Sequence, residues 1–106
     1  MGMDVIALIT PKPGKADRVE ELLVKAAESV KANEPGTLRY HLQRETAGDA
    51  PMFIVLETYK DMESAKLHGE TDYFNALKKS FGEEDLLAQP LKIILTKEVG
   101  GFASRL

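Results

Sequence analysis

Two polar residues stand where apolar ones are expected, and both are of types that move protons. Glu57 falls near the end of the hydrophobic run MFIVLETY, and His68 lies inside the helical pattern of MESAKLHGETDYF. Glu57 and Tyr59 share the parity of Phe53 and Val55, so all four side chains point to one side of a strand. Met62, Ala65 and His68 recur at steps of three. That spacing sets the histidine on the inward helix face and leaves Glu63, Lys66 and Glu70 on the outward one. A histidine ordinarily titrates near neutral pH, which suits a general base or a proton shuttle. A carboxylate on an apolar face has to be hydrogen-bonded or paired. Each residue therefore carries two readings. His68 either transfers a proton or makes a structural hydrogen bond between helix and sheet. Glu57 either serves a site or forms an ion pair with Arg39 or Arg44, within the chain or across a dimer interface. Tyr40 and Tyr59 either line a pocket or are core aromatics whose hydroxyls reach the rim. Phe74, at helical spacing with Leu77 and Phe81, is core or a pocket wall. His41 has the opposite parity to Tyr40 and groups with Arg39 and Gln43 on a polar surface or interface.

Composition narrows the classes. A chain of 106 residues suits one domain, 1–106, with 99–106 as a C-terminal tail. Apolar residues at 43% and charged residues at 29% are ordinary for a soluble globular protein. The net charge of −3, with no clustered Lys/Arg stripe, argues against nucleic acid. The absence of cysteine removes disulfides, zinc ribbons and thiol catalysis together. Two histidines far apart in sequence do not announce a metal site, and no HExxH, P-loop, GxSxG or GxGxxG motif is present. MGMDVIALIT lacks the pattern of a signal peptide, and no segment approaches the ~20 apolar residues of a membrane span. These features predict a cytoplasmic protein with no membrane partner.

The elements that must position the polar residues can be read from periodicity. DVIALIT, residues 4–10, is a strand stopped by PKPG. Ala16, Val19, Leu22, Leu23, Ala26 and Val30 form one face of a helix over 15–32, which NEPG ends. Leu38, Tyr40 and Leu42 alternate with Arg39, His41 and Gln43, the pattern of a half-buried strand with the first set inward. A third strand covers 52–59. Asp61 caps a helix that Gly69 breaks, and Thr71 caps a second one carrying Phe74, Leu77 and Phe81. The last strand lies in LKIILTKEV. The order predicts an α+β, ferredoxin-like split βαβ fold, an antiparallel sheet with helices on one face. At least three strands are apolar on both parities, as in Ile6, Leu8, Ile54, Leu56 and Ile94. A second copy laid sheet to sheet would cover the other face, which predicts a homodimer.

EPGTLRYHLQRE and FIVLETYKDMESAKLHGETDYF resemble the antibiotic biosynthesis monooxygenase (ABM) family. Glu34, Gly36, Leu38 and Tyr40 carry the likeness in the first block. Phe53, Glu57, Tyr59, Asp61, Ala65, His68, Thr71 and Phe74 carry it in the second, and PGK before the first helix fits as well. The resemblance extends over nearly all of the chain up to the final strand and implies a dimeric α+β barrel. The family is similar to cofactor-free oxygenases of quinols and polycyclic phenols, but also to haem-degrading enzymes and to an isomerase of a signalling sugar phosphate, so the fold alone does not assign an activity. In the haem-degrading relatives a histidine follows the helical phenylalanine and ligates iron. Here Phe74 is followed by Asn75, Ala76, Leu77, Lys78 and Lys79. The asparagine those relatives carry on the first strand is also missing from DVIALIT, so haem is not an expected partner.

What the resemblance implies is a monooxygenase without a bound cofactor, acting with dioxygen on a small electron-rich quinol or polyphenol. His68 would be the base or proton shuttle. Tyr59 and Tyr40 would orient the ring or donate to its oxygen, with Glu57 and Phe74 in the binding site. Asn33 either adds a polar contact or only caps the helix before it. Two other classes stay open: an isomerase or cyclase that uses His68 without oxygen, and a non-enzymatic dimer that binds a small molecule or a partner protein.

Overall fold

A computed structural model describes residues 2–106. Its elements run β1 (Met3–Ile9), α1 (Ala16–Asn33), β2 (Thr37–Arg44), β3 (Phe53–Tyr59), α2 (Met62–Gly69), α3 (Asp72–Glu83) and β4 (Lys92–Thr96). The strands form one antiparallel sheet in the order β2-β3-β1-β4, with the helices on one side, the split βαβ arrangement that the element order predicts. No helix among the described residues is long and apolar enough to cross a membrane.

Alternation builds the inner face. Val5, Ala7 and Ile9 of β1 stand opposite Glu57, Val55 and Phe53 of β3, and all six are buried. From α1, Ala16, Val19, Leu23, Ala26 and Val30 are buried at steps of three and four. Leu77 and Phe81 of α3 and Leu86 beyond it complete the core. The outer face is bare in the single chain. Ile6, Leu8, Ile54, Leu56 and Ile94 are shielded only partly, with no helix over them.

Two turns fix the helices that matter for the site. The Asp61 carboxylate accepts from Ser64 N at 2.8 Å and starts α2. Thr71 then works in both directions. Its hydroxyl accepts from Phe74 N at 3.3 Å to cap α3, and it donates to His68 O at 2.8 Å to hold the end of α2. Beside these helices α1 stops in a tight turn, with Glu34 N donating to Val30 O at 2.9 Å and Thr37 N to Glu34 O at 3.0 Å. Gly36 in that turn presses on α2. A Cβ added there would collide with the Ser64 hydroxyl and lie 2.8 Å from the Ser64 Cβ.

Some expectations need correction. Leu38 is not an inward residue. The register shifts between Thr37 and Arg39, a β-bulge in which Leu38 is the extra residue, and it is 60% exposed. Thr37 opposes Tyr59 and Tyr40 opposes Glu57, so both lie on the helix side despite their odd spacing. The two faces of α2 are also less distinct than the spacing suggests. Met62 is largely exposed, and Lys66, assigned outward, borders the same cavity as His68. β4 is shorter than the run LKIILTKEV, and Ile93 and Leu95, although on the helix side, have no helix above them.

Candidate functional site

The helix side of the sheet does not pack solid. A cavity of about 310 Å³, the size of a small-molecule site, lies between β1, β3 and β4 and the helices α2 and α3. Its walls include Val5, Ala7, Val55, Leu77 and Phe81. Met62, Ile93 and Leu95 also line it yet remain exposed, so it opens along β4 and the start of α2. Tyr40, Glu57, Tyr59 and His68 supply its polar end.

His68 is buried and sits among three aromatic rings: its centroid is 4.9 Å from that of Phe74, 5.5 Å from Tyr40 and 5.7 Å from Tyr59. The Thr71 turn brings Phe74 and His68 together. Both Glu34 carboxylate oxygens lie 3.0 Å from His68 Nδ1. Glu34 also accepts from Thr37 Oγ1 at 2.8 Å and from the Tyr73 hydroxyl. Nε2 has no hydrogen-bond partner among the described residues, and no buried side-chain N or O among them lacks one, so Nε2 reaches the cavity.

Glu57 is 6% exposed. Neither arginine pairs with it. Arg44 binds Asp17 at 3.0 Å and Glu20 at 2.9 Å on the surface, and Arg39 stands opposite Thr58 on the other face of the sheet. Glu57 faces the helices, so a copy docked on the open face would not reach it either. Its Oε1 accepts the Tyr59 hydroxyl, and its Oε2 is open to the cavity on the same reasoning as His68 Nε2. Burial pushes the Glu57 carboxyl above the usual carboxylate range, against the Tyr59 bond and the nearby His68, which lower it. Glu57 therefore keeps its proton to higher pH than a surface glutamate.

The tyrosines divide. Tyr59 is almost fully buried and its hydroxyl is committed to Glu57, so it touches a ligand through its ring and acts on oxygen only by way of that carboxyl. The Tyr40 hydroxyl has no partner in the chain among the described residues and is free to donate into the cavity. Burial first, and then the charges of Glu57 and Glu34, push it well above the ordinary tyrosine range, which keeps it a donor. Phe74 forms a wall, with Lys78 Nζ 4.9 Å from its ring centre on the outer side. Asn33 does not join the site: it is exposed and its Nδ2 donates to Ser29 O at 2.8 Å. His41 is exposed on the outer face opposite Leu56.

Three residues escaped assignment from sequence: Glu34, Thr37 and Tyr73. Glu34 lies in NEPG, which reads as a helix stop. Two signals were available: Glu34 is among the residues that carry the family likeness, and a glutamate at a helix C-terminus faces the negative end of the dipole and calls for a reason. Among the described residues no three His, Cys, Asp or Glu side chains group so as to hold a metal ion.

Residues 3–80 match the family model for antibiotic biosynthesis monooxygenases. The chain is 34% identical over 85 residues to YcnE of Bacillus subtilis (strain 168), described as a candidate monooxygenase, which takes in 78% of this chain and 86% of that protein. Among solved structures it is similar to a candidate antibiotic biosynthesis monooxygenase of Caulobacter crescentus CB15, with 35% identity, a TM-score of 0.82, and 93% and 91% of the two chains covered. It is also similar to PA3566 of Pseudomonas aeruginosa, with 29% identity, a TM-score of 0.78, and 93% and 95% covered.

Proposed function

We propose that this chain, which belongs to the antibiotic biosynthesis monooxygenase family, oxidises a small electron-rich quinol or polyphenol with dioxygen and needs no bound cofactor to do so. The observation that carries this reading is an apolar cavity whose polar end offers an open imidazole Nε2 beside the Tyr40 hydroxyl and the Glu57 carboxyl. His68 Nε2 takes the phenolic proton. Desolvation by the apolar walls raises the energy of the resulting anion, which passes an electron to dioxygen. Recombination places a peroxide on a ring carbon that bears hydrogen. The peroxide takes back the proton held on His68, and the hydroperoxide then loses its outer O–H with the hydrogen of that ring carbon as water, which leaves a quinone with one oxygen atom added. The Tyr40 hydroxyl stabilises charge on oxygen along the way, and Glu57 lines the same end of the cavity. Phe74 and Tyr59 hold the ring.

The working unit in this reading is a homodimer. The strip of Ile6, Leu8, Ile54, Leu56 and Ile94 supports it, because an apolar patch spread over three adjacent strands is rarely left to water. A second reading, an isomerase or cyclase, draws on the same open groups, since a base and a hydroxyl donor on one cavity can also move a proton between two carbons or oxygens of a ligand. Oxygen uptake decides between them. A panel of hydroquinones, catechols and polycyclic phenols is incubated with the protein in an oxygen-electrode cell. Uptake of one dioxygen per quinone formed, with the quinone one oxygen atom richer and no hydrogen peroxide released, supports the oxygenase. Conversion of a panel member at an equal rate without oxygen overturns it in favour of the isomerase.

A further inference from the structure

We propose that Glu34 is the positioning residue of this site, locking His68 in the one tautomer that leaves the Nε2 lone pair facing the cavity. The inference rests on the reading of His68 as the base and adds what makes it one. Glu34 is an expensive residue where it stands. It is 5% exposed, and it closes α1 at the helix end where the macrodipole opposes negative charge. An apolar residue would end the helix with less penalty. What offsets the charge is a set of donors from three separate elements: Thr37 Oγ1 of β2 on Oε1, the Tyr73 hydroxyl of α3 on Oε2, and His68 Nδ1 of α2 at 3.0 Å from both.

A carboxylate only accepts hydrogen bonds, so Nδ1 must be the protonated nitrogen. A neutral imidazole with Nδ1–H has its lone pair on Nε2, the atom that reaches the cavity. Thr37 and Tyr73 hold the two carboxylate oxygens from either side, so the carboxylate cannot turn away from the ring. When Nε2 takes a proton from a substrate O–H, the O–H bond breaks, an N–H bond forms, and the imidazolium is left against a negative charge already in place. The close approach of Gly36 to Ser64 seats the turn against α2. A carboxylate behind a histidine is used this way in other proton-transfer sites.

Glu34→Gln tests this, because glutamine keeps the size but offers an amide that can donate to Nδ1 and favour the reverse tautomer. The tautomer is read by nitrogen-15 NMR of the imidazole in mildly alkaline buffer, with no substrate present. Wild-type protein should show a protonated Nδ1 and an unprotonated Nε2, and Glu34→Gln should shift population to the opposite form. On the substrate that the oxygen assay identifies, kcat should fall ~10²–10⁴-fold, the usual contribution of general acid–base catalysis, with KM changed by a few-fold at most. Glu34→Asp should recover part of the loss. Tyr73→Phe, which leaves the Glu34–His68 contact in place, should keep the wild-type tautomer. A wild-type imidazole protonated on Nε2 overturns the inference even if Glu34→Gln does not fold, and so does a folded Glu34→Gln protein with wild-type kcat. The NMR result is independent of oxygen chemistry. An Nδ1–H spectrum with no oxygen uptake on any substrate would sink the oxygenase reading and leave Glu34's role standing.

Discussion

Replacing His68 separates catalysis from structure, because alanine and asparagine remove different things. His68→Ala deletes the base and also takes away one of the three donors on the buried Glu34 carboxylate. Leaving a buried polar group short of a partner costs ~1–3 kcal/mol. The packing loss adds little to this, since the imidazole already borders an open cavity and its deletion enlarges a space that water can enter. With a net cost of about 2 kcal/mol, and ~4–8 °C in Tm per kcal/mol for a chain near this size, the melting point should fall by roughly 8–16 °C. Turnover should fall ~10²–10⁴-fold. His68→Asn should behave differently. Its amide N–H can take the place of Nδ1–H toward Glu34, so most of the melting loss should return. It has no basic nitrogen, so the turnover should not. The assay is oxygen uptake on the best quinol at 25 °C, corrected for folded fraction, with thermal melts on the same samples. Near-wild-type turnover in either variant would remove His68 from the mechanism. A His68→Asn protein as unstable as His68→Ala would show that the Glu34 contact is not what stabilises this region.

The raised Glu57 pKa has a stability consequence with a definite sign. A carboxyl whose folded pKa exceeds its unfolded value stabilises the fold fully below the unfolded value and loses that contribution as pH rises through the folded one. Glu57→Gln, which keeps an acceptor for the Tyr59 hydroxyl, should therefore gain Tm relative to wild type as pH is raised from 4, close to the unperturbed glutamate value of ~4.3, toward 8, and a pH-independent difference would contradict the burial account. Leu56→Lys, in the middle of the bare sheet face, should turn a particle of twice the 11.7 kDa chain mass into a monomer by light scattering; a wild-type monomer at micromolar concentration would refute the dimer. Titration with haemin should give no saturable Soret shift, since no histidine follows Phe74 in the turn where an iron ligand is expected.

Periodicity carried the fold a long way, and its failures have physical causes. The α1 face and the β1 and β3 alternation are local patterns repeated several times, so single exceptions do not mask them. The break at Gly69 and the Thr71 cap depend on backbone chemistry within a few residues. His68 could be placed on an inward face because its helical neighbours mark that face. Glu34 could not. It has no periodic neighbours, and its meaning comes from His68 and Tyr73, 34 and 39 residues further on. The misplaced partner of Glu57 has a related cause: both arginines are close in sequence to the right strand, but Arg39 takes the wrong face and Arg44 is claimed by α1. The alternation of β2 fails at Leu38 because a bulge changes the count without changing the composition.

That bulge also bears on how the chain tolerates changes in length. Side chains three apart on a regular strand point to opposite faces, yet Thr37 and Tyr40 share one, because the extra residue restores the parity between them. A chain lacking residue 38 would have the same two side chains two apart, on an ordinary ladder and still facing the helices. Position 38 is thus a place where an insertion or deletion passes through a strand without scrambling the site, whereas the same event one pair further along, between Tyr40 and Leu42, would turn Tyr40 or everything after it outward. Removal of Leu38 should leave the His68 tautomer as in wild type, and removal of His41 should unfold the sheet or abolish binding.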